Sequence, residues 1–109
     1  MIFKGSEAPV TILDEKAQRK MLAYGKDLMM VEVIFKKGGI GTPHAHTDHE
    51  QASYIVKGSF EVTIGKETKI VKAGDGFYAA RNIMHGVVAL EDDSRILDNF
   101  TPIREDFLS

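Results

Sequence analysis

The chain has 109 residues, of which 43% are hydrophobic and 28% are charged, and its formal net charge is −2. This length accommodates one domain, and the mixed charges do not favour binding to nucleic acid or to an anionic membrane. The absence of cysteine excludes disulfide and thiol chemistry. No apolar run approaches the roughly 18 residues of a membrane-spanning helix, and the first residues do not resemble a secretion signal. We therefore expect a cytoplasmic protein.

Short extended segments between glycine-rich and polar turns predict an all-β sandwich or barrel. In chain order, the predicted strands cover residues 28–35, a segment that begins at 44–46, and then 51–56, 59–64, 68–71, 77–80, 85–90 and 95–100. Before them, residues 13–24 read either as one or two helical turns or as an irregular strand. Residues 36–41 form a predicted loop, and a tight hairpin is predicted at Lys57-Gly58.

A single domain follows from this arrangement, and it has three predicted parts. They are an N-terminal arm at about residues 1–27, a barrel at about 28–100 and a C-terminal tail at 101–109. The tail contains Pro102 and is expected to be a loop that ends in a short helix.

Histidines at alternate positions form the strongest functional pattern. Alternate residues of a strand point to the same side, so two neutral imidazoles at positions i and i+2 can bind one metal ion. The chain reads Gly-x5-His-x-His-x4-Gln-x6-Gly and, further along, Gly-x10-His. The residues of this pattern are Gly38, His44, His46, Gln51, Gly58, Gly74 and His85.

This spacing resembles that of the cupins, which are small double-stranded β-helix barrels of the jelly-roll type. The resemblance covers about residues 28–100 and implies four metal ligands, which are His44, His46, Gln51 and His85. The family most often has glutamate at the third ligand position. Gln51, rather than its neighbour Glu50, is followed by six residues and then the glycine of the motif.

The second cupin motif is matched with three departures. Ala80 replaces the usual proline, Asn82 the usual glycine and Ala89 the usual asparagine. His85 is still expected as a ligand, whereas the geometry of the loop before it is left open. His49 lies in the turn between the motif residues, where we expect it to be solvated.

The ligand set indicates the chemistry of the metal. Nitrogen and oxygen ligands accept several divalent transition ions, here Zn, Ni, Fe or Mn. Three imidazoles and one amide leave open coordination positions, which a catalytic metal needs. Because the Gln51 amide cancels none of the ion's charge, Lewis-acid chemistry is favoured over oxygen activation. Alternatively, Gln51 is only a hydrogen-bonding residue of the barrel.

The last predicted strand and the tail carry a second candidate group. Asp98 and Phe100 face the same side of a strand, and Arg104 lies just beyond Pro102. If that side is the barrel interior, a carboxylate, an aromatic ring and a guanidinium would meet beside the metal. The alternative is that Phe100 is core, Asp98 a surface charge and Arg104 a solvated tail residue.

Together with the ligand pattern, the ending Leu-Asp-x-Phe-x-Pro-x-Arg-Glu-Asp-Phe-Leu resembles pectin-degradation cupins of the KdgF type. That resemblance implies an enzyme that converts 4,5-unsaturated monouronates to linear keto acids without an organic cofactor. It also implies Asp98 and Arg104 as catalytic residues, and Phe100 and Arg104 as substrate-binding residues. A small acidic sugar substrate and a homodimer are expected. The alternatives are a non-catalytic sugar- or effector-binding cupin and another cupin enzyme, such as a dioxygenase or a sugar isomerase.

Overall fold

The structure is a computed structural model that describes residues 1–45 and 47–108. The described residues form ten strands between two short 3-10 helices, Gly5–Glu7 and Glu105–Leu108. The strands are β1 (Val10–Asp14), β2 (Ala17–Tyr24), β3 (Met29–Phe35), β4 (Ile40–His44), β5 (Glu50–Lys57), β6 (Ser59–Ile64), β7 (Glu67–Lys72), β8 (Gly76–Ala79), β9 (His85–Ala89) and β10 (Ser94–Thr101). No helix among these residues is long and apolar enough to cross a membrane.

The strands form two antiparallel sheets, as the all-β jelly-roll prediction requires. One sheet has the order β1-β2-β3-β10-β5-β8 and the other β4-β9-β6-β7. Alternate side chains from both sheets meet in an apolar core that includes Phe35, Ile55, Phe60 and Ile96. The rings of Phe35 and Phe60 pack edge to face, with centroids 5.5 Å apart. The predicted fold class is confirmed.

The predicted hairpin at Lys57-Gly58 is wrong. β5 pairs with β10 and β8, whereas β6 pairs with β9 and β7, so the chain crosses from one sheet to the other at Gly58. Gly58 has a positive φ of 76°, and a side chain there would overlap with Ser94. Glycine at this position therefore allows a tight corner between the two sheets and not a hairpin. A residue that favours turns does not by itself determine which strands pair.

The N-terminal half also differs from the sequence prediction in two places. The helical alternative for residues 13–24 is wrong, because this stretch contains the end of β1 and the whole of β2, which pair with each other. The main-chain N–H of Lys16 donates to Asp14 Oδ1 at 2.7 Å and stabilises the turn between them. The strand predicted to begin at His44 instead ends there, because Ile40 and Gly41, which were predicted to belong to the loop, are already part of β4.

Candidate metal centre and substrate pocket

A pocket of about 320 Å³ opens into the barrel and is lined by residues of both sheets. Its lining includes six of the predicted site residues, namely His44, Gln51, His85, Asp98, Phe100 and Arg104. His44 ends β4 and pairs with His85 at the start of β9. Gln51 on β5 pairs with Phe100 on β10. Residues distant in sequence are therefore placed at one end of the barrel by strand pairing.

The two described histidines of the pattern lie against each other. Their ring centroids are 4.4 Å apart. Nδ1 of His44 donates to the carbonyl oxygen of Thr42 at 2.7 Å, and Nδ1 of His85 donates to that of Ile83 at 3.0 Å. Because a carbonyl can only accept, both hydrogens are on Nδ1, and the lone pair of each neutral ring is on Nε2. Main-chain carbonyls commonly orient metal-binding histidines in this way.

Burial favours the neutral, ligand form of His85. It lowers the pKa of the imidazole, and the neighbouring His44 lowers it further, although the hydrogen bond to Ile83 opposes them. Asn82, in the loop before His85, has a φ of +66°. Asparagine tolerates this left-handed conformation, which explains how it replaces the usual glycine of the cupin motif.

Gln51 is buried on β5 and is oriented by two hydrogen bonds. Its Nε2 donates to Ser53 Oγ at 3.0 Å and to Asp98 Oδ1 at 3.1 Å. The amide oxygen is therefore the atom suited to a metal. Glu50 points to the other side of the strand, where its carboxylate accepts from Tyr78 at 3.0 Å and from Arg81 at 2.9 Å.

The donor atoms fit a divalent transition metal. His44, Gln51 and His85 bring two imidazoles and one amide oxygen to one pocket, and such ligands suit first-row ions. His46 lies outside the described residues. Within residues 1–45 and 47–108, no three residues chosen from His, Cys, Asp and Glu are grouped to hold a metal. This result agrees with the candidate ligand set, because one of its three described members is Gln51, whose residue type is not among those four.

Asp98 faces the pocket rather than the outer surface. The hydroxyl of Ser53 donates to its Oδ1 at 2.6 Å, beside the bond from Gln51. Burial raises the pKa of Asp98 to about 6, against the opposing effects of the Ser53 hydrogen bond and the charge of His44. A carboxyl with this pKa can both take up and release a proton near neutral pH.

Phe100 and Arg104 line the same pocket from β10 and the tail. Phe100 is buried in a core cluster and packs edge to face on Phe107, with centroids 5.8 Å apart. Arg104 donates to both carboxylate oxygens of Asp106, at 3.2 and 2.9 Å. Its guanidinium lies 4.1 Å from the centroid of the Phe107 ring. Phe100 is thus both core and pocket wall, and Arg104 is largely buried rather than solvated.

The tail is attached to the turn that follows the first histidines. Nε2 of His49 donates to the carbonyl oxygen of Ile103 at 3.0 Å. The expectation that His49 is only solvated is therefore wrong, since the residue is half-buried and contacts the tail. The predicted short helix is confirmed as the 3-10 helix that carries Phe107.

Arg19 and Phe107 are among the residues of the pocket that sequence reasoning missed. The Arg19 guanidinium lies 3.6 Å over the centroid of the Phe107 ring. The available signal was the alternation of Ala17, Arg19 and Met21, which places all three on one face of a strand. That signal was not used, because the choice between helical turns and an irregular strand was left open for residues 13–24.

Comparison with known proteins gives four consistent results. Residues 31–98 match the Cupin domain family. The chain is 49% identical to the pectin degradation protein KdgF from Dickeya dadantii (strain 3937), over 97% of this chain and 96% of the relative. The structure of KdgF from Halomonas sp. superposes with a TM-score of 0.94 and 42% identity, covering 98% of this chain and 99% of the other. An RmlC-like cupin from Shewanella frigidimarina NCIMB 400 gives a TM-score of 0.90 and 35% identity, covering 97% and 94% of the two chains.

Proposed function

Because the chain belongs to the cupin family, in which it is similar to KdgF over nearly its whole length, we propose that it is a metal-dependent pectin-degradation enzyme. In this proposal it converts 4,5-unsaturated monouronates, released from pectin or alginate, to linear keto acids. The observation that carries the proposal is one pocket in which a candidate metal-ligand set adjoins a carboxyl and a guanidinium. The relative's role in pectin degradation supports the choice of substrate.

The proposed cofactor is one divalent transition metal ion, Zn, Ni, Fe or Mn, held by His44, His46, Gln51 and His85. It would supply Lewis acidity to a sugar oxygen. The neutral amide of Gln51 leaves the charge of such an ion undiminished, which suits this chemistry better than oxygen activation. His44 and His85 support the ligand role because their hydrogens are fixed on Nδ1 by main-chain carbonyls.

The protein's own residues bind the substrate and move its protons. Arg104 would bind the uronate carboxylate through its fork of N–H donors, and Phe100 would pack against the sugar ring. When the bond from C1 to the ring oxygen breaks, the C1 hydroxyl loses its proton to become the aldehyde. The ring oxygen gains a proton and becomes an enol at C5. Asp98 would take the enol proton and return a proton to C4, so the reaction is an isomerisation without an oxidant.

The expectations of a single domain, a cytoplasmic location and a homodimer belong to the same proposal. A small acidic sugar is the proposed substrate, and neither nucleic acid nor a membrane is a proposed partner. Sedimentation equilibrium of the purified protein tests the dimer directly.

The deciding experiment combines elemental analysis with an ultraviolet assay on 4,5-unsaturated galacturonate. We expect one metal ion per chain and loss of the absorbance of the conjugated acid, and a chelator should abolish that loss. Sugar binding without turnover would favour a non-catalytic cupin. Oxygen uptake in the same cuvette would favour a dioxygenase. Aldose–ketose conversion of a saturated sugar would favour an isomerase.

A further inference from the structure

Arg19 occupies an inward position of β2 beside several apolar residues. The adjacent inward residues of the strand, Ala17 and Met21, are buried, and the residue paired with Arg19 on β3 is Val33. Burial lowers the pKa of Arg19, and the nearby charge of Arg104 lowers it further, whereas Asp106 opposes both effects. A cation in these surroundings is costly unless it has a specific partner.

In the part of the chain that the structure describes, this cation is positioned by a ring contact and not by a side-chain hydrogen bond. The guanidinium is stacked 3.6 Å over the centroid of the Phe107 ring, and a stacked guanidinium keeps its N–H groups in its own plane. Within residues 1–45 and 47–108, no carboxylate forms an ion pair with Arg19. Asp14, which also lines the pocket, accepts instead from the main chain of Lys16.

Arg104 differs from Arg19 in this respect. Its guanidinium contacts the same Phe107 ring, at 4.1 Å, but two of its nitrogens are bonded to Asp106 at 3.2 and 2.9 Å. The pocket therefore contains two guanidinium groups around one ring. Arg104 is already paired with an internal carboxylate, whereas Arg19 forms no ion pair with a described carboxylate and feels Asp106 only as a nearby charge.

We propose that Arg19 is a second carboxylate-binding residue and that it gives the pocket its selectivity for anionic over neutral sugars. The proposal rests on the proposed function, because it assigns the carboxylate of a monouronate to this end of the pocket. Phe107 acts as the positioning residue that holds the guanidinium. Arg104 contributes a second contact once the ligand competes with Asp106.

The test measures binding rather than turnover. D-galacturonate and D-galactose are suitable probes, because they differ at C6 and neither has the 4,5 double bond of the proposed substrate. Isothermal titration calorimetry is performed on the metal-loaded wild-type protein, on Arg19→Gln and on Lys20→Gln. Lys20 is the matched control, since it follows Arg19 on the opposite face of β2 and loses the same charge.

Arg19→Gln should weaken galacturonate binding by about 10–100-fold, the range for a lost hydrogen bond to a charged group, and should leave galactose binding unchanged. Lys20→Gln should match the wild type for both sugars. Arg19→Lys keeps the charge without the planar fork and should recover part of the loss. Wild-type affinity for galacturonate in Arg19→Gln, or an equal loss for both sugars, would overturn the proposal.

The wild-type protein provides a second measurement if Arg19→Gln does not fold. In NMR spectra, the Arg19 Nε–H resonance, assigned by its absence in Arg19→Lys, should shift on addition of galacturonate but not of galactose. A resonance that does not respond, or a wild-type protein that does not bind galacturonate, would also overturn the inference. Failure of the proposed enzyme activity is seen separately, as a lack of turnover of the unsaturated uronate by the wild-type protein.

Discussion

Replacing Gln51 by glutamate tests the contact between the candidate ligand and Asp98. The wild-type amide donates from Nε2 to Asp98 Oδ1 at 3.1 Å. In Gln51→Glu this donor becomes a carboxylate oxygen, so two carboxylates face each other inside the pocket. We predict that the metal-free variant loses stability as the pH rises above about 6, relative to the metal-free wild type.

The size of the effect follows from two competing costs. Two full charges 3.1 Å apart repel by about 5 kcal/mol at an effective dielectric constant of about 20. Burial already raises the pKa of Asp98 to about 6, so protonating it at pH 7 costs only about 1.4 kcal/mol. Protonating one carboxylate costs less free energy than keeping both charged. The pair of carboxyl side chains at positions 51 and 98 in Gln51→Glu will therefore hold one proton.

The sign of the pH dependence follows from proton counting. A carboxyl whose pKa is raised on folding holds more protons in the folded state, so stability falls as the pH rises through that interval. For wild-type Asp98 the interval runs from 3.8 to about 6. In Gln51→Glu the free energy of unfolding continues to fall above this pH interval, by about 1.4 kcal/mol per pH unit. The expected difference is therefore near 3 kcal/mol at about pH 8 and small at about pH 5.5.

Urea unfolding of chelator-treated protein at these two pH values measures the difference. Gln18→Glu is the matched control, because it makes the same chemical change on the outward face of β2 and should show no comparable pH dependence. Should Gln51→Glu lose the same free energy of unfolding at both pH values, the described contact between Gln51 and Asp98 would not exist in solution.

Three further predictions concern the metal, the chemistry and the fold. His85→Ala should lose most of its bound metal, by elemental analysis, while remaining folded; full occupancy would place the metal elsewhere. Asp98→Asn should keep its metal and turn over the substrate about 10²–10⁴-fold more slowly. Arg104→Ala should mainly raise KM in the ultraviolet assay. Wild-type kinetics in both variants would contradict the roles proposed for these two residues. Gly58→Ala should lower the free energy of unfolding in urea by about 2–4 kcal/mol, from the cost of its positive φ and the overlap with Ser94; a wild-type value would contradict the described corner.

The sequence was sufficient to predict the fold class and several of the residues that line the pocket, namely His44, Gln51, His85, Asp98 and Phe100. Strand alternation and the spacing of glycine and histidine are local properties that can be read from the sequence alone. Alternation also predicted that Asp98 and Phe100 share a face. It could not distinguish a core role from a pocket role for Phe100, because that ring has both.

Three of the errors have a common physical cause, since each of them depends on a contact between distant residues. Gly58 indicates a turn, but the presence of Ser94 beside it and the pairing of β5 with β10 determine that the turn changes sheets. The role of His49 depends on the carbonyl of Ile103. The role of Arg19 depends on its contact with the Phe107 ring in the tail, and the residue pattern of β2 does not reveal that contact.

The position of β10 has a consequence for how the protein folds. β10 follows every other described strand in the sequence, yet it lies inside the six-stranded sheet, where it joins β3 on one side to β5 on the other. During synthesis, the two parts of that sheet can form early, but they remain unjoined until this last strand emerges. Contacts between distant residues also slow folding. Because β10 carries Asp98 and Phe100, a partly made chain cannot form the finished pocket.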